Sequence, residues 1–186
     1  MERVYIFDTT LRDGGQTKGV DFSFADKIAI SEALDDLGID YIEGGWPGAN
    51  PTDDKLFGSP PKLKVSNFVA FGMTRRPNTS AANDPGLNAV LSGKSDSVCL
   101  VGKTWDFHVS KALNITLEEN IDMISESINE INKRGKQALF DCEHFFDGFK
   151  NNKKFALECV RSAFEAGAKW VVLCDCLLYT SDAADE

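Results

Sequence analysis

The sequence lacks several features that would assign it to a broad class at once. It contains no apolar run that approaches the ~20 residues of a membrane-spanning helix. The N-terminus, MERVYIFDTT, has no long apolar stretch either, so we do not expect a secretory signal. Basic residues are in deficit, with 20 Lys and Arg against 29 Asp and Glu and a net charge of −9. This balance argues against a nucleic-acid-binding protein.

Paired cysteines are also missing. The five cysteines are an odd set without the spacing of a C-x-x-C redox motif or a zinc knuckle. Such a set is typical of thiols in a reducing compartment, and we expect a cytoplasmic protein. The remaining composition is that of an ordinary globular protein, with 186 residues, 42% hydrophobic and 26% charged. This length suffices for one domain with a core, or for part of a larger one.

Short apolar segments alternate with amphipathic ones along the chain. The apolar segments predict six strands, at residues 3–9, 40–44, 65–72, 95–102, 137–145 and 170–175. Capping signals and apolar spacing predict four helices, which begin near residues 23, 84, 116 and 152, and a weaker one at 51–57. In the first helix the predicted buried face consists of Ile30, Ala33, Leu34 and Leu37.

Alternating strands and helices predict a parallel sheet and the α/β class. Two architectures remain open, a doubly wound open sheet and a closed eight-stranded barrel. A full barrel typically needs about 250 residues, so a barrel would stop here after its sixth strand. After Asp175 the strand and helix patterns end. We expect residues 176–186 to be foreign to the fold, as an artefactual or disordered tail, with an ordinary flexible C-terminus as the alternative.

Acidic residues follow most of the predicted strands. They are Asp8 and Asp13 after the first strand, Glu43 at the end of the second, Asp106 after the fourth, Asp141 and Glu143 on the fifth, and Asp175 at the end of the sixth. Both α/β architectures place their sites at the carboxyl ends of the strands. Carboxylates that converge there repel one another unless a cation joins them, and a divalent metal is a suitable one. The pattern predicts a metal site or a general acid–base site.

The most informative segment is DTTLRDGGQ, at residues 8–16. Arg12 can bind an anion through two parallel hydrogen bonds, and the adjacent Asp13 is a ligand for a hard metal ion. Such a pair suits a substrate with a carboxylate and a carbonyl group. The alternative is a surface ion pair in a turn.

This segment resembles the opening motif of the metal-dependent TIM-barrel enzymes of the DRE-TIM metallolyase superfamily. They include isopropylmalate, homocitrate and citramalate synthases and hydroxymethylglutaryl-CoA lyase. Further segments are similar to the citramalate synthase group: YIEGGWPGANPTD (41–53), VAFGMTRRP (69–77), GKTWDFHV (102–109), TLEEN (116–120) and EHFFDGFK (143–150). The resemblance covers residues 3–175. It implies an incomplete TIM (β/α)8 barrel with about six strands, and makes residues 1–175 the N-terminal part of a catalytic domain.

The resemblance also implies a reaction. An acyltransferase of this kind deprotonates acetyl-CoA, adds the enolate to the keto carbon of pyruvate and hydrolyses the thioester to release citramalate, an entry step to isoleucine. Arg12 would stabilise the developing alkoxide, Asp13 would bind the divalent metal (Mg, Mn or Zn), and Glu143 would contact substrate or transfer a proton. Gln16, Glu43 and Asp141 would bind substrate, with outer hydrogen bonding as the alternative for Gln16 and Glu43. The full-length protein would be a homodimer.

The sequence departs from the family pattern in one respect that bears on activity. The family completes its metal site with a His-x-His pair, whereas the two histidines here, His108 and His144, do not form that pair. We therefore expect the 186-residue chain to be inactive alone. The alternatives are a synthase that uses another 2-oxo acid, a lyase of the hydroxymethylglutaryl-CoA type, and a non-catalytic half-barrel that binds a partner chain.

Overall fold

The computed structural model describes residues 3–176 and has the predicted alternation of strands and helices. The strands are β1 (Phe7–Asp8), β2 (Tyr41–Gly45), β3 (Asn67–Met73), β4 (Ser97–Lys103), β5 (Gln137–Glu143) and β6 (Trp170–Leu173). The helices are α1 (Phe24–Leu37), α2 (Pro51–Gly58), α3 (Pro85–Ser92), α4 (Asp106–His108), α5 (Leu117–Lys133), α6 (Phe145–Asn151) and α7 (Lys153–Glu165). No helix in this described part of the chain has both the length and the apolar character that crossing a bilayer requires.

The order of the strands decides between the two open architectures. Neighbouring strands are hydrogen-bonded in chain order, from β1 to β6, and the pairs β1–β2, β2–β3 and β5–β6 are parallel. A doubly wound sheet reverses its strand order at a switch point, whereas a (β/α)8 barrel adds each strand beside the last. The prediction of an α/β fold with six strands of an incomplete TIM barrel is therefore confirmed.

The chain divides into two compact units. Among the described residues, the first consists of residues 3–72 and 88–99, and the second of residues 73–87 and 100–176. In the first unit β2 is buried along its whole length, and it packs with side chains of α2 and β3 that are almost inaccessible to solvent, including Leu56, Phe57 and Val69. In the second unit the core joins α5, β5 and α7, with Ile124, Ile128, Phe140 and Cys159 fully buried.

The buried face of α1 differs from the predicted one. Leu37 is 75% exposed, whereas the most buried positions of the helix are Lys27, Ser31 and Asp35. Each of these polar side chains has a polar partner. The Ser31 hydroxyl donates to Lys27 O at 2.7 Å, and the Asp35 carboxylate accepts three backbone N–H groups from residues 64–66. A spacing argument based on apolar residues alone misses a face that is buried through hydrogen bonds.

Two further boundaries differ from the prediction, and a third adjoins residues outside the described part of the chain. Strand β1 is only two residues long, because the N–H of Ile6 donates to the Asp40 carboxylate at 2.9 Å rather than to a neighbouring strand. Strand β5 ends at Glu143, since His144 has a left-handed backbone with φ 54° and is the N-cap of α6. The predicted boundary at residue 176 cannot be followed, because residues 177–186 lie outside the described part.

Candidate functional site

The turn after β1 fixes the backbone of Arg12 and Asp13. The side chain of Leu11 is buried, and the N–H groups of Arg12, Asp13 and Gly14 all point to Thr9 O, at 3.1, 2.8 and 3.2 Å. A single carbonyl thus organises the turn, and a buried apolar residue anchors it. The two polar side chains that follow the anchor are held at the carboxyl end of the strand.

Three groups hold the guanidinium of Arg12. Arg12 Nε donates to Glu43 Oε2 at 2.6 Å, and Arg12 Nη1 donates to Asp13 Oδ1 at 3.1 Å. The guanidinium also stacks over the Phe71 ring, with 4.0 Å between Cζ and the ring centroid. Charge-assisted hydrogen bonds and a cation–π contact together fix both the position and the plane of the group. Arg12 is therefore pre-oriented without a ligand.

Glu43 lies in β2 and its side chain is fully inaccessible to solvent. The pairing of β2 with β3 shifts register between Glu43 and Gly45. Gly45 has φ 152°, and a Cβ at this position would lie 2.5 Å from Asp53 Cγ. The glycine thus allows the Asp53 carboxylate to approach the backbone two residues after Glu43.

A buried ion pair supports the same strand end. Lys27 Nζ lies 2.5 Å from Asp53 Oδ1 and donates to Gly44 O at 2.9 Å. Asp53 Oδ2 accepts from Trp46 N and from Asn50 Nδ2, each at 2.9 Å. Sequence reasoning did not identify this pair, because its two members lie 26 residues apart in the chain.

Asp13 and Gln16 differ from Arg12 in their exposure. The Asp13 side chain is 59% exposed, and Gln16 lies in the short 3-10 turn Gly14–Gln16 that follows. Gln16 and Arg12 line a cavity of about 270 Å³, together with residues of α1 and of the segment after β2. The structure brings the predicted residues Arg12, Asp13, Gln16 and Glu43 together in the first unit.

The second unit carries the other two predicted residues, both on β5. Asp141 and Glu143 are partly exposed, while Phe140 and Cys142 between and beside them are fully buried. The alternation places the two carboxylates on the same side of the strand, as predicted. The Glu143 carboxylate makes an ion pair with Lys103 Nζ, a residue that sequence reasoning had not singled out.

The two histidines lie beside this ion pair. Their ring centroids are 4.7 Å apart, and His144 Nδ1 lies 3.0 Å from Asp147 Oδ2. The pKa of His108 is lowered by burial and by the nearby charges of His144 and Lys103, against the opposing effect of Glu143 and Asp147. His108 therefore packs against a histidine that a carboxylate anchors.

Arg75 has a structural role in the second unit. Its side chain is only 5% exposed. It donates to Glu119 Oε1 at 2.8 Å and to Glu126 Oε2 at 2.6 Å. Burial tends to lower the pKa of Arg75, but the two carboxylates outweigh it, and the net shift is upward. Arg75 therefore ties α5 to the segment after β3.

The donor chemistry fits a hard divalent cation at Asp13. An exposed carboxylate at the end of a strand is an oxygen ligand of the kind that Mg²⁺ or Mn²⁺ prefers. Its neighbour Arg12 is positive, so this turn combines an oxygen donor suited to a metal ion with a cation suited to an anionic group. One carboxylate alone binds such an ion weakly, because affinity requires several protein ligands.

Comparison with known proteins identifies the family to which the chain belongs. The family model described as HMGL-like matches residues 3–183, and the chain belongs to this family. Enzymes of the family depend on a divalent metal. Solved structures of HMG-CoA lyases have the same fold: that from Bacillus subtilis matches with a TM-score of 0.72 at 19% identity, over 91% of this chain and 57% of the lyase. That from Brucella melitensis gives 0.71 at 18%, over 92% and 60%.

The sequence identities to curated relatives differ between groups of enzymes. The chain is 50% identical to an (R)-citramalate synthase of Aquifex aeolicus, over 94% of this chain and 33% of the relative. It is 46% identical to that of Streptomyces coelicolor, over 92% and 33%. Identity falls to 30% with a 2-isopropylmalate synthase of Listeria innocua, over 97% and 34%. The chain thus spans about a third of the length of the curated relatives it matches.

Proposed function

We propose that this chain is the N-terminal part of the catalytic domain of a citramalate synthase. The whole enzyme would condense acetyl-CoA with pyruvate, with the help of a divalent metal, and release citramalate and CoA. The observation that carries the proposal is the fixed guanidinium of Arg12 beside the exposed carboxylate of Asp13. The 44–50% identity to (R)-citramalate synthases supports this choice over the isopropylmalate synthases, at 30–32%.

Arg12 has the chemistry to act on the keto group of pyruvate. When the enolate of acetyl-CoA adds to the keto carbon, the keto oxygen becomes an alkoxide. A cation that is already oriented stabilises this charge without reorganising. Glu43 and Phe71 supply that orientation in the ground state, so Arg12 need not lose rotamer freedom during the reaction.

Asp13 would hold the metal, and the metal would require further protein ligands besides this residue. A divalent ion, when bound, polarises the keto group of the 2-oxo acid. Gln16 would contact substrate in the cavity it shares with Arg12. The identity of the metal, Mg, Mn or Zn, stays a prediction, as do the homodimer and the cytoplasmic location.

Glu143 would contact substrate or move a proton, and Asp141 would bind substrate beside it. Their partial exposure on one side of β5 supports these roles, since a residue that meets substrate must be accessible. The proton that leaves the methyl group of acetyl-CoA requires a base within hydrogen-bond reach, and a carboxylate is one such group. The segments around Gly45–Trp46 and Phe140–Phe145 would decide which 2-oxo acid fits.

A chimeric enzyme tests the proposal. Residues 3–175 would replace the matching third of the Aquifex aeolicus (R)-citramalate synthase, and CoA release would be followed with pyruvate or 2-oxoisovalerate. We expect metal-dependent turnover of pyruvate, with citramalate as product, and its loss in Arg12→Met. Preference for 2-oxoisovalerate would indicate an isopropylmalate synthase. Cleavage of hydroxymethylglutaryl-CoA without any condensation would indicate a lyase.

The isolated 186-residue chain serves as the matched control for the chimera. We expect it to turn over no pyruvate, because Asp13 alone binds a divalent metal weakly. Citramalate production by a soluble monomer of this chain would contradict that expectation. A defined complex with a partner protein, without any CoA release in the chimera, would favour the non-catalytic half-barrel.

A further inference from the structure

Lys103 ends β4 and contacts the carboxylate of Glu143, which ends β5. Its Nζ makes an ion pair with Glu143 Oε2, and the exposed fractions of the two side chains are 18% and 26%. Within residues 3–176, Lys103 is the cation that the structure pairs with this carboxylate. Ion pairs on open surfaces hold side chains loosely, whereas partial burial limits the geometries that both groups can adopt.

Hydrogen bonds fix the backbone on both sides of this ion pair. The Thr104 hydroxyl donates to Glu143 O at 2.8 Å, and Thr104 N donates to the same oxygen at 3.3 Å. Asn120 Nδ2 donates to Lys103 O at 2.9 Å, which ties the end of β4 to α5. The backbone on both sides of the ion pair is thus held by contacts that do not involve the ammonium or the carboxylate.

The next turn is equally constrained. Asp106 accepts from Asn151 Nδ2 at 2.8 Å and from Asn152 Nδ2 at 3.1 Å, so α4 is tied to the α6–α7 junction. Gly148 of α6 packs so closely on the segment after β4 that a Cβ there would overlap Thr104 O. Such close packing indicates a rigid support for the residues at the ends of β4 and β5.

We propose that Lys103 is a positioning residue for Glu143, whose carboxylate it orients at the end of β5 before substrate enters. The inference rests on the proposed function, in which Glu143 meets substrate or transfers a proton. An ammonium is a single point charge on a flexible stem, so Glu143 can leave it as substrate arrives. A guanidinium fork, as in Arg12, would hold the carboxylate more firmly.

Nuclear magnetic resonance on the ¹⁵N-labelled chain tests the contact without any assay of activity. A paired ammonium exchanges its protons slowly, so we expect a resolved Lys103 Nζ signal that disappears in Glu143→Gln. Lys154 is the matched control, since its Nζ lies 3.7 Å from Glu158 on a side chain that is 87% exposed. Its signal should not respond to Glu143→Gln. A Lys103 signal that Glu143→Gln leaves unchanged would overturn the proposal.

Kinetics of the chimera separate positioning from a merely structural role. We expect Lys103→Met to lower kcat at least about tenfold while KM for pyruvate stays within about twofold, because a misplaced catalytic group affects the chemical step. Lys103→Arg should recover part of the loss, and Lys154→Met should have no effect. An unchanged kcat in Lys103→Met would refute the positioning role. If the unsubstituted chimera is inactive, the proposed function fails, and the resonance of Lys103 still decides the contact.

Discussion

Glu43 lies in the middle of β2 and Glu143 is the last residue of β5, and the surroundings of the two carboxylates differ as well. Glu43 is fully buried and accepts a 2.6 Å hydrogen bond from Arg12 Nε. Glu143 is about a quarter exposed and pairs with the ammonium of Lys103. The Glu43 carboxylate is therefore held by a planar guanidinium and is inaccessible to solvent. The Glu143 carboxylate is held by an ammonium on a flexible side chain and is partly accessible to solvent.

This difference separates two tasks that the sequence pattern alone had grouped together. A buried carboxylate whose partner is stacked on Phe71 can orient that partner but has little access to substrate. A partly exposed carboxylate can meet substrate and exchange protons. We therefore interpret Glu43 as the residue that orients Arg12, and Glu143 as the residue that takes part in chemistry. Variants of each residue test this distinction.

The largest effect should come from Glu43→Ala. The substitution leaves the Arg12 cation without its buried counter-charge, and loss of one partner of a buried pair costs about 3–5 kcal/mol. Urea denaturation would measure the free energy of unfolding. Glu32→Ala, at an exposed position of the same unit, is the control and should change it by less than about 0.5 kcal/mol. Equal losses of unfolding free energy in the two variants would contradict a structural role for Glu43.

A smaller loss should follow from Gly148→Ala, which tests the support of the second carboxylate. The added Cβ would overlap the backbone of Thr104, and overpacking of this kind costs about 1–3 kcal/mol. Thermal unfolding of the chain would measure it. Gly58→Ala is the matched control, because a Cβ at Gly58 has no atom within 4 Å. A Gly148→Ala variant as stable as Gly58→Ala would show that the contact is not rigid.

The stability effect of Lys103→Met should be below about 1 kcal/mol, since partly exposed ion pairs contribute little. This small loss would contrast with the large loss expected for Glu43→Ala, and it would indicate that Lys103 matters for catalysis rather than for stability. Urea denaturation under the same conditions gives the number. A loss as large as that of Glu43→Ala would show that the Lys103–Glu143 ion pair also stabilises the fold.

The last variant concerns pH and a third carboxylate, that of Asp35. Burial tends to raise its pKa, but the N–H groups of Lys64, Val65 and Ser66 outweigh this, and the pKa lies well below the usual range. Because the folded-state pKa is depressed, the carboxylate adds stability above the ordinary Asp pKa of about 4 and loses it as the pH falls further. The difference in stability between the natural chain and Asp35→Asn should therefore be larger at pH 5 than at pH 2.5. Urea titrations at both values check it, and an equal difference would contradict the assignment.

The strand–helix order could be predicted from sequence because apolar periodicity and helix caps are local signals. Ser23 and Asp26 illustrate this, since they form the predicted reciprocal cap of α1. The cap of α5 at Thr116 is not reciprocal in this way: the Thr116 hydroxyl accepts from Glu119 N at 3.1 Å, while the Glu119 carboxylate pairs with Arg75. A tertiary ion pair therefore replaced a local contact that the sequence favoured.

The candidate site shows the same limit. Arg12 and Asp13 were identifiable because they are adjacent in one motif at a strand end. Lys103 was not, since its partner Glu143 is 40 residues away and only the fold brings them together. Likewise, Lys27 and Asp53 pair across 26 residues. Charged pairs between distant elements carry no periodic signal, so sequence patterns cannot reveal them.

The most direct test measures kcat and the free energy of unfolding in two variants of the chimera, Glu43→Gln and Glu143→Gln. We expect Glu143→Gln to lose about 10²–10⁴-fold in citramalate production while its stability is unchanged, as for a residue in proton transfer. Glu43→Gln should lose both stability and turnover. Full turnover in Glu143→Gln, or a stability loss in it equal to that in Glu43→Gln, would contradict the division of tasks between the two carboxylates.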